Sequence, residues 1–294
     1  MSNFFTARQK VFLGIVSILF LLNTFAWREV FALAGPHYLK VNVLDIGQGD
    51  SIFIETPNMH QILIDGGPDS SVLGKLQNKM PFWDRNLDVV ILTHPDKDHV
   101  MGLLNVLQKY KVNYVVWTGI IRNGATYQEW LKILKKAEKR GTKIIKAKIG
   151  QQVKSGELKI TTLHPFEDLT GQDFKDLSND TAVISYLTYG GKSFLFMSDA
   201  SSKLEKKLID SEINLTSDIL KVGHHGSRFS TSDEFLQAVD PKIAIISVGK
   251  KNTYGHPTLE VLQRLEKFGI KTFRTDQGGD VEIISDGKNI QIKK

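Results

Sequence analysis

The chain contains no cysteine, and this absence restricts the metal sites that it can build. Disulfide bonds and thiolate metal ligands are excluded, so any bound metal must be held by histidine, aspartate, glutamate or backbone oxygen atoms. The Gly-x-Ser-x-Gly segment of a serine hydrolase is also missing. The sequence has no low-complexity segment and no short repeat.

Long uncharged stretches are scarce, and the clearest is residues 11–27 (VFLGIVSILFLLNTFAW). Its length is at the lower limit of the roughly 17–25 apolar residues that span a bilayer. Arg8 and Lys10 precede it and predict a cytoplasmic N-terminus with the rest of the chain outside. Residues 1–34 are therefore predicted to be a single-pass membrane anchor or, alternatively, a signal peptide cleaved near Ala34, which would leave a secreted protein. A buried helix of a soluble protein is a third, disfavoured interpretation.

Neither sign of charge dominates strongly, although the net charge is +6 and the pI is near 9.2. A mild positive excess favours anionic partners such as nucleic acid or a membrane surface. From residue 38 onward, strand-like and helix-like patterns alternate, and no Pro/Gly/Ser-rich linker divides them. This pattern predicts one domain over residues 38–294, in which two β-sheets face each other and helices cover their outer sides.

Histidine and aspartate residues cluster at the ends of several apolar strands. The segment THPDKDH, residues 93–99, follows the apolar run 89–92, and His224 and His225 follow a strand that ends at Val222. Because strand ends converge on one edge of a sheet, these side chains are expected to lie together. Two divalent ions would neutralise such crowded carboxylates and use the imidazoles as neutral donors. The pattern therefore predicts a two-metal centre at this edge.

Five motifs resemble those of metallo-β-lactamase-fold hydrolases and, more narrowly, those of the extracytoplasmic hydrolase domain of ComEC-type DNA-uptake channel proteins. In chain order they are LDIGQGD (44–50), LIDGG (63–67), LTHPDKDH (92–99), KVGHHGS (221–227) and YGHP (254–257). The resemblance extends over residues 38–294 but not to the channel. It implies an α/β fold, the four-layer αββα metallo-β-lactamase sandwich, here preceded by one N-terminal hydrophobic helix.

The resemblance also implies a set of metal ligands, with Asp199 bridging two ions. The implied ligands are His94, Asp96, Asp98, His99, Asp180, Asp199 and His224. Asn179 is the alternative to Asp180 in the first site. In the second site the choice between His224 and His225 stays open, with His224 favoured as the ligand and His225 as a contact to the substrate or transition state.

Further roles are implied for residues around these ligands. The residues expected to act in catalysis are Asp98, Asp199, His225 and His256. The residues expected to orient the ligands and the glycine-rich loop are Asp45, Asp50, Asp65 and Asn179. The residues expected to bind the substrate are Lys221, Ser227 and Arg228.

The chain departs from the wider family pattern at Asp96, where most members have histidine. Its third metal motif also contains no obvious histidine. Oxygen donors in place of nitrogen favour harder metal ions, so two divalent ions of manganese or zinc are expected, with magnesium as a further candidate.

These expectations predict an extracytoplasmic, binuclear metal-dependent phosphodiesterase or nuclease that acts on DNA through a hydroxide bridging the two ions. Nucleic acid is then the substrate, the membrane holds the N-terminal segment, and a separate DNA-uptake channel protein is a candidate partner. One alternative is a metallo-hydrolase of another substrate, such as a cell-wall phosphodiester, a phosphocholine ester or a lactone. The other is a surface binding module that holds no metal.

Overall fold

Two compact units make up the chain. The first comprises Met1–His37 and the second Tyr38–Lys294. The computed structural model describes residues 6–34, 38–174 and 178–293. The outer ends of the two predicted segments, residues 1–5 and Lys294, lie outside the described residues.

The described part of the first unit is a helix, α1 (Ala7–Ala34). Its portion Ala7–Trp27 is long and apolar enough to cross a membrane, and none of its most apolar window is buried inside the protein. A membrane anchor and a signal sequence both have such a helix. The predicted N-terminal hydrophobic helix is confirmed, while its role stays a prediction.

The second unit contains two β-sheets and several helices. The strands are β1 (Leu39–Val43), β2 (Ile52–Glu55), β3 (Gln61–Ile64), β4 (Asn86–Ile91), β5 (Lys111–Trp117), β6 (Lys143–Lys146), β7 (Gln152–Ser155), β8 (Leu158–His164), β9 (Ile184–Tyr189), β10 (Lys192–Phe196), β11 (Ile219–Lys221), β12 (Ile243–Ile246), β13 (Lys271–Arg274), β14 (Val281–Ser285) and β15 (Ile290–Lys293). The helices are α2 (Ser71–Lys79), α3 (Lys97–Lys109), α4 (Ala125–Lys139), α5 (Ser202–Asp210), α6 (Asp233–Val239), α7 (Leu259–Lys267) and α8 (Thr275–Gly278). The larger sheet has the strand order β15-β14-β1-β2-β3-β4-β5-β6, and the smaller sheet has the order β13-β12-β11-β10-β9-β8-β7.

Three apolar layers hold the sheets and helices together. Between the two sheets, residues such as Ile54 of β2 and Phe194 of β10 pack in one cluster. Helices α2, α3 and α4 cover the outer face of the larger sheet, where Trp130 is fully buried. Helices α5, α6 and α7 cover the smaller sheet in the same way, with Phe235 in the cluster beneath them. The predicted four-layer αββα sandwich is therefore confirmed.

Strand β4 shows why the edge of the larger sheet carries the polar motif. Val89 and Ile91 pack between the sheets, whereas Val90 and Leu92 pack beneath the helices. A strand buried on both faces has no polar alternation, which explains the continuous apolar run before the motif. Strands β3 to β6 run parallel, as do β10 to β13, so within each set the carboxyl ends lie at the same edge of the sheet.

Helix α3 begins at Lys97, three residues before the start at Val100 that the apolar spacing predicts. Asp96 is the residue before the helix, and Asp98 and His99 lie on its first turn. The apolar spacing starts late because the first turn carries polar residues. A carboxylate near a helix N-terminus is also stabilised by the helix dipole. A regular helix, and not an isolated tight turn, therefore holds these two side chains.

His164, at the end of β8, makes the stability of the domain depend on pH. The side chain is buried, and its Nδ1 lies 2.8 Å from the carbonyl oxygen of Ala182. Burial lowers the pKa of His164 to about 4. A base whose pKa is lowered in the folded state contributes stability above its unfolded pKa, and this contribution is lost as the pH falls towards the folded pKa.

We therefore expect the free energy of unfolding to decrease by up to about 3 kcal/mol between pH 6.5 and pH 4 because of this one residue. Urea denaturation of the full chain across this pH range measures the effect. His164→Asn should remove this contribution to the slope, since an amide can still donate to the carbonyl but does not titrate. His60→Asn is the control because His60 is exposed, and an equal loss of slope in that variant would contradict the assignment.

Candidate metal centre

Two buried histidines, His99 and His225, are each held by a contact at Nδ1. In His99 this atom lies 2.8 Å from Oδ2 of Asp65, and in His225 it lies 3.0 Å from the carbonyl oxygen of Ser247. The Nε2 atoms of both rings are buried without a hydrogen-bond partner. An imidazole that is anchored at Nδ1 and free at Nε2 has the arrangement of a metal ligand. Both rings are therefore candidate ligands.

His94 has the same arrangement. Its Nδ1 lies 3.1 Å from Oγ1 of Thr93 and 3.4 Å from Oγ of Ser198, and its buried Nε2 has no hydrogen-bond partner. The ring centroids of His94 and His99 are 4.1 Å apart. Burial, together with the neighbouring His99, holds the pKa of His94 below its usual value, so its ring is neutral at neutral pH. Neutral imidazole is the form that binds a metal ion.

The carboxylate of Asp199 lies between two groups of histidines. Its Oδ1 is 3.3 Å from Nε2 of both His99 and His225. Its Oδ2 is 3.9 Å from Nε2 of both His94 and His224. Burial raises the pKa of Asp199, but the two nearer histidines outweigh this effect and hold the pKa well below its usual range. The ionised carboxylate therefore presents one oxygen to each group, as a bridging ligand does.

His99 and His225 respond to the same carboxylate. Burial lowers the pKa of each ring, but Asp199 outweighs this effect and raises both values well above normal. Both rings are therefore protonated on both nitrogens, and positively charged, when no cation is nearby. A divalent ion would replace these protons, so ion binding at this place is coupled to proton release.

The densest group of ligand atoms consists of Asp98, His99, Asp199 and His225, and these atoms lie within 4.8 Å of one another. Nε2 of His225 is 3.5 Å from Oδ2 of Asp98. His225, and not the favoured His224, lies in this group. Which of the two histidines is the ligand stays a prediction, now with His225 favoured. Both histidines have left-handed backbone angles, with φ of 47° at His224 and 54° at His225, and this turn sends the two rings to different sides of Asp199.

The second group of donors lies on the other oxygen of Asp199. Oδ2 of Asp96 is 3.7 Å from Nε2 of His94. Oδ1 of Asp96 is 2.6 Å from a guanidinium nitrogen of Arg122. On the same side, the side-chain amide nitrogen of Asn179 is 3.4 Å from Nε2 of His224. This group is more open than the first, since Asp96 and His224 are partly exposed.

The structure does not bring Asp180 into either group. Its Oδ1 accepts a hydrogen bond from Oγ of Ser201 at 2.5 Å, and its expected role as a ligand stays a prediction. The segment Ser178–Thr181 forms a short 3-10 helix. Successive side chains on a 3-10 helix point about 120° apart, so Asn179 and Asp180 point in different directions.

Asp65 contacts both Thr93 and the candidate ligand His99. Its Oδ1 accepts the backbone N–H of Thr93 at 2.8 Å, while its Oδ2 accepts the hydroxyl of Thr93 at 2.6 Å and contacts Nδ1 of His99. One buried carboxylate thus connects the motif at the end of β4 to the first turn of α3. This connection sets the position of the His99 ring.

Asp50 also supports the centre, through a buried ion pair with Lys221. Nζ of Lys221 is 2.8 Å from Oδ2 of Asp50, and both side chains are almost completely buried. The other oxygen, Oδ1, is 3.4 Å from Nδ1 of His225. Burial alone raises the pKa of Asp50, but Lys221 and His225 outweigh it and hold the pKa well below its usual range. The ammonium of Lys221 faces Asp50 and not the surface, so this arrangement favours structural support over the predicted contact with substrate.

The glycine-rich loop packs directly against the start of α3. A Cβ atom at Gly49 would lie 2.1 Å from the carbonyl oxygen of Asp98, so only glycine fits there. The N–H of Asp50 donates to the same carbonyl at 3.2 Å. Asp45 contacts the loop and no candidate ligand, because its Oδ1 accepts the N–H of Gly47 at 3.4 Å. The loop is a close-packed support for Asp98.

His256 and Tyr254 form one side of the opening to the centre. The ring of His256 lies 5.8 Å from that of His224 and stacks at 5.8 Å on Tyr254, which is 69% exposed. Burial, and then the nearby His224, lower the pKa of His256, so this ring is also neutral at neutral pH. Its expected contact with the reacting group stays a prediction.

The two other residues expected to bind substrate differ in exposure. Arg228 is exposed, and its guanidinium lies 4.8 Å from the centroid of the Phe229 ring. Ser227 is buried, and its Oγ accepts the N–H of Phe229 at 3.4 Å, which places it within the turn. Of the three predicted substrate contacts, Arg228 alone lies at the surface.

Sequence reasoning missed Arg122, which contacts the candidate ligand Asp96. The residue lies in the loop between β5 and α4, outside every recognised motif. One signal was available, because loops that follow the carboxyl ends of parallel strands lie at the same edge as the site. Backbone strain is a second structural feature of this edge. Four residues there have positive φ, namely Asp65, Ser198, His224 and His225.

Removing each motif histidine should separate the two donor groups. We expect the ion held by Asp98, His99, Asp199 and His225 to bind more tightly than the other. His225→Ala should weaken its binding by at least about 100-fold, because this enclosed group loses one of its donors. His224→Ala is the matched control and should leave that ion in place. Titration of metal-free protein with Mn²⁺, followed by electron paramagnetic resonance, measures both affinities. A larger loss in His224→Ala would contradict the assignment.

The chain has clear similarity to known proteins. A family model described as "Metallo-beta-lactamase superfamily" matches residues 44–250. The chain is 33% identical over 260 residues to ComE operon protein 3 of Bacillus subtilis. The aligned region covers 83% of this chain and 32% of that protein. It is 30% identical over 244 residues to competence protein ComA of Neisseria gonorrhoeae, with the same two coverages of 83% and 32%. The chain thus matches about a third of the length of these curated relatives.

The fold is also similar to that of a solved structure. The metallo-beta-lactamase fold protein YhfI from Bacillus subtilis superposes with a TM-score of 0.55 at 17% identity, covering 84% of this chain and 99% of YhfI. This likeness concerns the fold alone. The matched segment 44–250 includes the glycine-rich loop, the motif after β4, Asp199 and the paired histidines. Because family model, sheet order and donor placement agree, the chain belongs to the metallo-beta-lactamase superfamily.

Proposed function

We propose that the protein is an extracytoplasmic, binuclear metal-dependent phosphodiesterase that cleaves DNA. The observation that carries this proposal is the position of Asp199 between two groups of donors, in which the buried Nε2 atoms of His94, His99 and His225 face its carboxylate and make no hydrogen bond. Buried polar atoms without a hydrogen bond are uncommon in native structures, and such atoms grouped around a carboxylate suit a bound cation. One relative, ComA of Neisseria gonorrhoeae, is named as a competence protein, which supports a substrate involved in DNA handling.

The donor set fits two divalent ions. One ion would be held by Asp98, His99, His225 and Oδ1 of Asp199, and the other by residues near its Oδ2, with His94 and Asp96 foremost. Two ions held in this way supply Lewis acidity and a strongly nucleophilic water at neutral pH. The mixture of imidazole and carboxylate donors suits manganese or zinc, with magnesium as a third candidate.

The side chains around the donors supply orientation and charge. Asp65 holds the ring of His99, while the ion pair of Asp50 and Lys221 supports the ring of His225. A phosphodiester in the opening would meet the neutral ring of His256, which can donate or accept a hydrogen bond at the leaving oxygen. Arg122 places positive charge beside Asp96, where it would stabilise the non-bridging oxygens in the transition state.

We also propose that helix α1 remains as a single-pass anchor with the catalytic unit outside the cytoplasm. Arg8 and Lys10, before the apolar stretch, support a cytoplasmic N-terminus. Proteolysis of intact cells should degrade the catalytic unit, and its complete protection would overturn this orientation.

Metal-free protein supplied in turn with Mn²⁺, Zn²⁺ and Mg²⁺ should cleave DNA, with Mn²⁺ or Zn²⁺ most effective. Single-stranded DNA, duplex DNA and RNA should be compared with a phosphocholine ester, a cell-wall phosphodiester and a lactone. Asp98→Ala is the control for contaminating nucleases and should have no metal-dependent activity while it stays folded. Hydrolysis of the lactone alone, or DNA cleavage retained in Asp98→Ala, would overturn the proposal, and failure to bind metal would favour a binding module.

A further inference from the structure

The edge of the larger sheet opposite the metal centre forms a continuous strip. The turn after β2 and the loops before β4, β5 and β6 lie side by side there, because β2 to β6 are consecutive neighbours in the sheet. Hydrogen bonds connect them: Nε2 of Gln61 donates to Asp84 at 2.9 Å, and the N–H of Lys111 donates to the carbonyl of Arg85 at 2.8 Å. We call this edge the basal strip. The candidate ligands follow the other end of β4, about 20 Å away along the strand.

Large apolar side chains are exposed on the basal strip. Phe82 is 74% exposed and Trp83 is 54% exposed, and their rings contact each other edge to face at 4.7 Å. Met59, in the turn after β2, is 46% exposed. Single exposed apolar residues are ordinary, but an adjacent Phe-Trp pair marks a surface that contacts a partner. Tryptophan in particular is enriched at the interface between water and lipid.

Basic side chains continue the strip beyond the aromatic pair. The exposed cations of this region are Arg85, Lys109, Lys111, Lys136, Lys139, Arg140 and Lys143. Within the described part of the chain, no salt bridge engages any of them. Helix C-termini favour cations, which accounts for Lys109 and Lys139 at the ends of α3 and α4. It does not account for Arg85, Lys111 and Lys143, which precede or begin strands. Arg85 and Lys143 lie over the rings of Tyr110 and Tyr114, at 5.6 Å and 5.5 Å from the ring centroids, and both cations remain exposed.

The polypeptide begins the domain at this same strip. Strand β1 is antiparallel to β2, with Lys40 paired to Glu55, so the start of β1 lies beside the end of β2. Tyr38, just before β1, is 40% exposed. The covalent chain therefore joins any upstream segment inserted in a bilayer to this edge of the sheet.

We propose that the basal strip rests on the surface of a bilayer that contains anionic lipids. Phe82 and Trp83 lie in the interfacial layer, and the basic side chains contact lipid phosphates, a combination of apolar burial and charge attraction that is typical of interfacial binding. The aromatic pair and the start of the chain favour lipid over nucleic acid as the occupant. In this orientation the metal centre faces away from the membrane, where a long polymer has access. The inference goes beyond the proposed hydrolase activity and does not depend on it.

Single-cysteine labelling tests this orientation cleanly, because the natural chain has no cysteine. Full-length Phe82→Cys and Tyr254→Cys, each labelled with the environment-sensitive dye NBD, are reconstituted in phosphatidylcholine vesicles with and without one third phosphatidylglycerol. Tyr254 is the matched control because it is similarly exposed, at 69%, but lies at the metal centre. With phosphatidylglycerol, the label at position 82 should shift to the blue, brighten several-fold and be quenched by spin-labelled lipids. The label at position 254 should behave as in water.

Charge reversal provides the second arm. Lys109→Glu combined with Lys111→Glu and Lys139→Glu, in the Phe82→Cys background, should abolish most of the blue shift while metal-dependent hydrolysis is unchanged. A label at position 82 that stays in water in both kinds of vesicle would overturn the proposal. So would a label that responds to single-stranded DNA and not to lipid, since the strip would then bind nucleic acid.

Discussion

Replacing Asp199 with asparagine is expected to lower metal-dependent hydrolysis by on the order of 10³-fold while leaving the domain folded. The two side chains have the same shape, so packing is preserved. An amide offers one oxygen and no negative charge, so it cannot bridge two ions. It also cannot raise the pKa values of His99 and His225 as the Asp199 carboxylate does. The loss should appear in kcat/KM and in the number of metal ions bound per chain.

Asp210→Asn is the control for this substitution. Asp210 is exposed and pairs with Lys206 on the surface of α5, so its removal changes charge equally without touching the centre. Circular dichroism establishes that both variants are folded. Wild-type activity in Asp199→Asn would show that this carboxylate is not a shared ligand, and it would remove the main support for a two-metal mechanism.

Replacing Lys221 with methionine is expected to destabilise the domain by about 3–5 kcal/mol, the usual cost of leaving one buried charge without its partner. The carboxylate of Asp50 would then have no ammonium within a nearly closed environment. Urea denaturation of the wild type and the variant measures the loss. The double variant Asp50→Asn with Lys221→Met should recover most of the stability, because neither charge is then buried.

Lys192→Met is the matched control for the buried pair. Lys192 is 3.3 Å from Asp218, and both side chains are partly exposed, so its removal should cost about 1 kcal/mol or less. A loss of less than about 1 kcal/mol in Lys221→Met would contradict the assignment of Lys221 as a structural support.

Much of the architecture follows from local patterns that a sequence reveals. The apolar run before residue 93 reflects burial on both faces of β4, and the alternation of strands and helices reflects the layers that cover it. The helix start at Lys97 escaped this reasoning, because its first turn consists of polar residues. Apolar periodicity does not report on residues retained for their chemistry.

The sequence allowed most residues of the candidate site to be predicted, but not how their side chains are arranged. His94, Asp98, His99 and Asp199 stand at strand or helix ends, which the pattern of apolar and polar residues identifies. Arg122 stands in a loop without a motif, and only the three-dimensional path of that loop brings it to Asp96. Pairs distant in sequence depend on topology, which one sequence does not encode in any local signal.

By itself, the sequence determined the types of donor, their places at strand ends, the apolar N-terminal segment and the exclusion of thiolate chemistry. The tertiary structure decided which donors meet. Left-handed backbone angles at His224 and His225 separate rings that are adjacent in the chain, a 3-10 turn directs Asp180 to Ser201, and burial turns Lys221 from a presumed surface cation into a partner of Asp50. In each case the residue type is a local property, whereas side-chain direction and burial arise only when distant segments pack together.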